Sequence, residues 1–186
     1  MKSLFVFMLA IMFSLVSYAQ KPNLNGRWES IKPEAQGQVF ATRDFTFKND
    51  KWSIIYTVYG DSEKKYPVFS FEAEGSFKVG KKSDKVDNTY EADFSFSKKY
   101  VTLLTDDETT IKSIGFDACN LKKGVKTDIS QNGCSFLASV KNYGLEYDLI
   151  SLNGTELKLG SRPADGNMSK PELRPTQLGE PLKKKK

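Results

Sequence analysis

The sequence contains no histidine and only two cysteines. Without an imidazole, Ser-His-Asp and Cys-His catalysis are excluded together with His-ligated zinc, and two thiols cannot complete a four-cysteine metal site. Glycine-rich phosphate loops are absent as well, so no cofactor or metal is expected and the chain does not read as an enzyme. No apolar run reaches the ~20 residues that a membrane-spanning helix needs. The longest, residues 4–16, follows a lone Lys2 and leads into Ser17, Tyr18 and Ala19, with small residues three and one positions before a cut ahead of Gln20. This is the pattern of a cleavable secretory signal of bacterial style over residues 1–19. No cysteine stands at the cut to be acylated, so the product is expected to be exported, periplasmic or secreted, and not membrane-spanning.

In an exported chain an even pair of cysteines reads as a disulfide, here Cys119 with Cys134. The basic balance does not point to nucleic acid. Residues 20–159 carry 20 basic and 20 acidic side chains, and the excess sits in the tail, where Arg162, Lys170, Arg174 and Lys183 to Lys186 outnumber Asp165, Glu172 and Glu180. Prolines 163, 171, 175 and 181 interrupt that tail, and residues 161–186 are expected to be flexible or laid over the surface of a single domain spanning 20–160.

What the chain does contain is alternation with a period of two. Arg43, Phe45 and Phe47 share one face of a strand; Trp52, Ile54, Tyr56 and Val58 follow after an Asn49-Asp50 hairpin turn. Phe69, Phe71, Ala73, Gly75, Phe77 and Val79 form the inward face of a long strand, with Gly75 as the expected bend. Tyr90, Ala92, Phe94 and Phe96 continue the pattern, and a further strand is expected at 100–104. Thr105 and Glu108 have capping-box spacing, with Ile111 and Ile114 on one side and Gly115 as the stop, which predicts one short helix. A final hairpin is expected across Asn153-Gly154. Successive antiparallel strands with so little helix predict an all-β fold, a single β-barrel, with a flattened sandwich as the competing architecture.

Carboxylate pairs occur at Asp106 and Asp107 and at Asp87 with Asp93, in polar stretches where solvated acids are the ordinary outcome. The inward face is the unusual feature. Arg43, Phe45, Phe47, Trp52, Ile54, Tyr56, Phe69, Phe71, Phe77, Phe94 and Phe96 are candidates to line a cavity or to fill a core, because small barrels do either. Gly26-Arg27-Trp28 opens the first strand like the Gly-x-Trp signature of lipocalins, and Arg162 after the last strand is expected to lie over Trp28 as a structural cation-π pair. Arg43 is the charge that alternation turns inward. It is expected either to pair with a carboxylate such as Glu146 or Asp148, or to meet the anionic head of a bound lipid.

Leu24-Asn25-Gly26-Arg27-Trp28-Glu29-Ser30, Thr42-Arg43-Asp44-Phe45-Thr46-Phe47, Tyr59-Gly60-Asp61 and Pro67, and later Glu146-Tyr147-Asp148-Leu149 and Leu157-Lys158-Leu159-Gly160-Ser161-Arg162-Pro163, occur in an order that resembles the domain of the adenomatosis polyposis coli down-regulated one family of animal Wnt inhibitors. The resemblance implies a lipocalin-like, half-open barrel that holds a lipid acyl chain. The family's cysteines after the first tryptophan and before the proline are replaced by Ile31-Lys32-Pro33-Glu34 and Glu63-Lys64-Lys65-Tyr66, so that disulfide is absent and only the lipid cavity carries over. The function expected is an exported binding protein for a lipid or other long apolar ligand; the alternative is a cell-envelope scaffold with a filled barrel and a protein partner.

Overall fold

A computed structural model describes residues 21–185; the expected signal peptide lies outside them. Ten strands and one helix follow in the order β1 (Gly26–Ser30), β2 (Glu34–Gln36), β3 (Val39–Lys48), β4 (Lys51–Tyr59), β5 (Pro67–Lys82), β6 (Tyr90–Leu103), α1 (Glu108–Ser113), β7 (Lys126–Asp128), β8 (Leu145–Asn153), β9 (Glu156–Leu159) and β10 (Leu182–Lys184). Every strand pair is antiparallel. Running β1-β10-β9-β8-β6-β5-β4-β3 and back through the β3–β1 pairing, eight strands close on themselves, with β2 and β7 as short additions to β3 and β6. The barrel is therefore closed, not half-open, and not a sandwich. Closure removes the unpaired edges that an open sheet would present.

The alternation sets which side chains point in. Phe45 faces Ile54 and Arg43 faces Tyr56 across β3 and β4, and Ile54 and Tyr56 face Ala73 and Phe71 of β5. The Asn49-Asp50 turn is the expected two-residue hairpin, with Asn49 at φ 58°. The second hairpin is offset by one residue: Asn153 pairs with Glu156, so Gly154 and Thr155 make the turn. β6 is one continuous strand rather than two. Its register against β5 slips where Glu74 faces Lys98 and Gly75 faces Phe96, which leaves Ser97 as the extra residue and turns Lys99 inward.

Two hydrophobic clusters occupy the ends. At the hairpin end, Leu24, Trp28, Phe45, Phe47, Trp52, Phe94, Ile150, Leu157 and Leu182 are buried together. At the other, Val58, Phe69, Val101 and Leu103 pack against Phe116, Ile129 and Cys134 of the segment that links β6 to β8. That segment carries α1, whose N-cap is Asp107, accepting from Thr109 N and Thr110 N, rather than the expected Thr105. Thr105 accepts from Asp107 N one step earlier, so it braces the cap without being it. The segment is tied by the expected Cys119–Cys134 disulfide.

The tail is laid over the surface, one of the two outcomes expected of it, and then adds a strand that was not expected. Tyr147 N donates to Met168 O, Ser161 N to Gln177 O, and Arg174 reaches through to Ala92 O, Asp148 O and Asp93, so the tail straps the outer wall of β8 and β6. It then returns as β10, which fills the gap between β9 and β1 and buries Leu182 completely. The domain extends through the tail because the ring needs this strand to close.

Candidate ligand-binding lumen

The cavity candidates divide into three groups. Phe45, Phe47, Trp52, Phe77, Phe94 and Phe96 pack on one another, with ring centroids 5.7 Å apart for Phe45 and Phe47, 5.0 Å for Phe47 and Phe77, 5.1 Å for Trp52 and Phe94, and 5.2 Å for Trp52 and Phe96. They plug the hairpin end instead of lining an open cavity. Phe69 belongs to the opposite cluster, edge to face with Phe116 at 5.0 Å. Between these packed ends stand Arg43, Ile54, Tyr56 and Phe71, which point into the closed ring yet keep partial solvent access. Ile54 and Phe71 pack against the hairpin-end cluster and Tyr56 and Phe71 against the other, and this partly accessible stretch between the two is the candidate lumen.

Its polar groups come from several elements. Arg43 does not pair with Glu146 or Asp148; its Nε donates to Glu34 Oε1 at 2.9 Å and its Nη2 to Glu180 O at 2.9 Å. Ser30 Oγ accepts from Arg43 N and donates to the same Glu34 oxygen, so β1, β2 and β3 meet on one carboxylate and Arg43 ties the tail to them. Arg43 is ion-paired, with Glu34 in place of the expected carboxylates. Glu34 escaped the sequence reading because a three-residue strand has no periodicity to read.

Arg162 does not cover Trp28. Its Nη2 donates to Glu146 Oε1 at 2.6 Å and its Nη1 to Gly166 O at 2.9 Å, with half the side chain exposed. The cation over the Trp28 ring is Lys184, 5.3 Å from the centroid, because β10 lies beside β1 and pairs these two residues. Trp28 Nε1 donates to Leu24 O at 2.7 Å, which fixes the indole across the hairpin end.

Lys99 is a second inward cation, 3 % exposed, hidden from alternation by the slip at Ser97. Its Nζ donates to Ala138 O at 2.9 Å and Tyr143 O at 2.6 Å and lies 4.5 Å from the Phe96 centroid. Burial pulls its pKa down to about 8, against the attraction of Glu146. Asp148 is the matching buried acid, accepting from Leu149 N at 2.6 Å and Gly160 N at 2.9 Å.

A family model for Adenomatosis polyposis coli down-regulated 1 matches residues 13–136. The chain belongs to this family. The match takes in β1 to β7, α1 and the disulfide loop, so Arg43, Ile54, Tyr56, Phe71 and Lys99 lie inside it, while Glu146, Asp148 and Arg162 follow it. No curated protein matches the chain.

Asp148 gives the lumen wall a pH dependence. Burial raises its pKa to about 7, with Glu146 nearby adding to the rise and the two backbone donors and Arg162 opposing it. A carboxyl whose folded value lies above its unfolded value of about 4 contributes stability that is complete below pH ~4 and is lost as pH rises to ~7. From pH 5 to pH 8 the loss should reach about 2–3 kcal/mol. Urea unfolding of the parent and of Asp148→Asn at both pH values measures it. The variant, which keeps the acceptor oxygen, should lack this part of the slope; equal slopes would show that Asp148 does not titrate in this window.

Proposed function

We propose that the protein binds one long apolar ligand, a lipid acyl chain or a molecule of that shape, in the middle of its barrel, and that it performs no chemical step. The observation that supports this reading is the partial solvent access of Ile54, Tyr56 and Phe71 on the inward face of a closed ring. An apolar wall that solvent can reach gains free energy when an apolar ligand covers it. A ligand burying about ten methylenes gains ~8 kcal/mol gross, which outweighs an association cost of at least ~4 kcal/mol. The disulfide and the absence, among the described residues, of a helix able to cross a membrane suit an exported carrier.

Membership of the family supports the same reading. The packed aromatic end favours a second one, an envelope scaffold whose barrel is filled and whose outer surface meets a protein. Native mass spectrometry of the protein purified from its own host separates them. The expected result is an added mass that denaturation releases as a lipid. Ile54→Trp, which fills the lumen with an apolar ring, should lower the occupied fraction and the affinity for a fluorescent fatty acid at least tenfold, with the thermal midpoint kept. An empty parent protein that also ignores the fatty acid would leave the scaffold as the better reading.

A further inference from the structure

A second concavity lies on the outside of the barrel. Where the register of β5 against β6 slips at Gly75, an open groove of about 610 Å³ is lined by residues of β3, β4, β5 and β6. Its lining combines Trp52 and Phe96 beside Gly75 with polar side chains on the outward faces of the four strands. Thr46, Ser53 and Glu74 form one cross-strand row, and Lys48, Lys51, Ser76 and Ser95 the next. Rows two residues apart along a strand are separated by about 7 Å, and neighbouring strands by about 4.8 Å. The two rows therefore cover an area larger than a single small solute. Ser97 borders this floor at the register slip.

The floor carries hydroxyls that the fold does not use. Among the described residues only Ser97 Oγ is engaged, donating to Glu74 O at 3.0 Å. The hydroxyls of Thr46, Ser53, Ser76 and Ser95 have no partner among the described residues. Each can donate and accept in turn. Lys48 and Glu74 stand above them without an ion pair among the described residues, and Lys51 reaches only the exposed Asp50 at 3.8 Å.

The lining sorts the possible ligands. An acyl chain would leave these hydroxyls dry and unpaired, which costs free energy for each. A peptide that binds by adding a strand needs a free sheet edge, and β4, β5 and β6 are paired on both sides. A phosphate chain would meet Glu74 on the same floor as the two lysines. A chain of hydroxyl groups answers the hydroxyl rows, because each of its groups also both donates and accepts.

We infer that this groove binds a glycan, an oligosaccharide laid across β3 to β6 on the hydroxyl floor, independently of whatever occupies the lumen. The test is an amide-resolved NMR titration of the purified protein with two probes, chitotetraose and cellotetraose, at millimolar concentrations. The expected result is that at least one probe shifts the amides of Ser53, Glu74, Gly75, Ser76, Ser95 and Ser97 as a group and leaves those of Tyr56 and Phe71 in place. Ser53→Arg and Ser76→Arg, each of which fills the floor from an outward position, should weaken that probe at least tenfold without changing the thermal midpoint. The inference is overturned if neither probe shifts the floor, if shifts scatter over the surface, or if both variants bind as the parent does.

Discussion

A chain ending at Pro181 should fail to fold. Removing β10 takes away Leu182, which is fully buried between Leu157 and Ser30, and uncovers Trp28 beneath Lys184. Truncating a buried leucine costs about 2–5 kcal/mol by itself. The backbone bonds lost with it, Lys184 N to Thr155 O and Lys185 N to Arg27 O among them, add about 0.5–1.5 kcal/mol each. A domain of this size is stable by about 5–15 kcal/mol in all. In addition β1 and β9 would be left as open edges, ready to pair with other molecules. The expected observation is loss of near-ultraviolet circular dichroism and of a cooperative thermal transition, with aggregation on concentration. Lys183→Ser with Lys185→Ser, which keeps the strand and removes charge, should melt close to the parent. A truncated chain that melts within a few degrees of the parent would show that the ring does not depend on its last strand.

This dependence also shows why the tail was hard to read. Pro181-Leu182-Lys183-Lys184-Lys185 contains one apolar residue among charges, and a strand of three residues leaves no alternation to count. Its structure is imposed by the gap between β9 and β1. Lys99 was concealed for a related reason: a single extra residue at Ser97 reverses every side chain beyond it, and nothing in Phe96-Ser97-Lys98-Lys99-Tyr100 marks the slip. The long alternating segments that form β3, β4 and most of β5 and β6 were legible because each buries one whole face. The cysteine pair was legible from its compartment. Partners were less so than positions. Arg43 and Arg162 were both singled out, but Glu34 and Glu146, which hold them, come from elements whose spatial neighbours are fixed only when the ring closes.

Gly75 is the position where sequence and structure agree most sharply, and its replacement should have the second large effect. A methyl group there would sit 1.7 Å from Ser95 O and 2.8 Å from Ser95 C, both main-chain atoms of the paired strand. No rotamer change relieves such an overlap, because neither atom belongs to a side chain. The backbone of Gly75 does not have a positive φ, so the requirement is for space and not for conformational freedom. Trp52 makes the region less yielding still, since its Nε1 donates to Ser76 O at 3.1 Å and to Ser95 O at 3.2 Å and pins both strands at the slip. Gly75→Ala must therefore part β5 from β6 and pull the indole out of the aromatic plug. Overpacking in a core costs about 1–3 kcal/mol where neighbours can adjust, and a clash with pinned main chain belongs at or above the top of that range. For a domain of this length, about 3 kcal/mol corresponds to a fall of roughly 6–12 °C in the thermal midpoint. Gly60→Ala is the control, since a methyl group there would meet its nearest neighbour, Tyr66 Cβ, at an ordinary 3.7 Å. Differential scanning calorimetry of both variants should show the fall for Gly75→Ala alone, together with a changed indole fluorescence from Trp52. If the two variants melt together, the register slip at Ser97 is not fixed by the close approach of β5 to β6 and must be set by the aromatic plug instead.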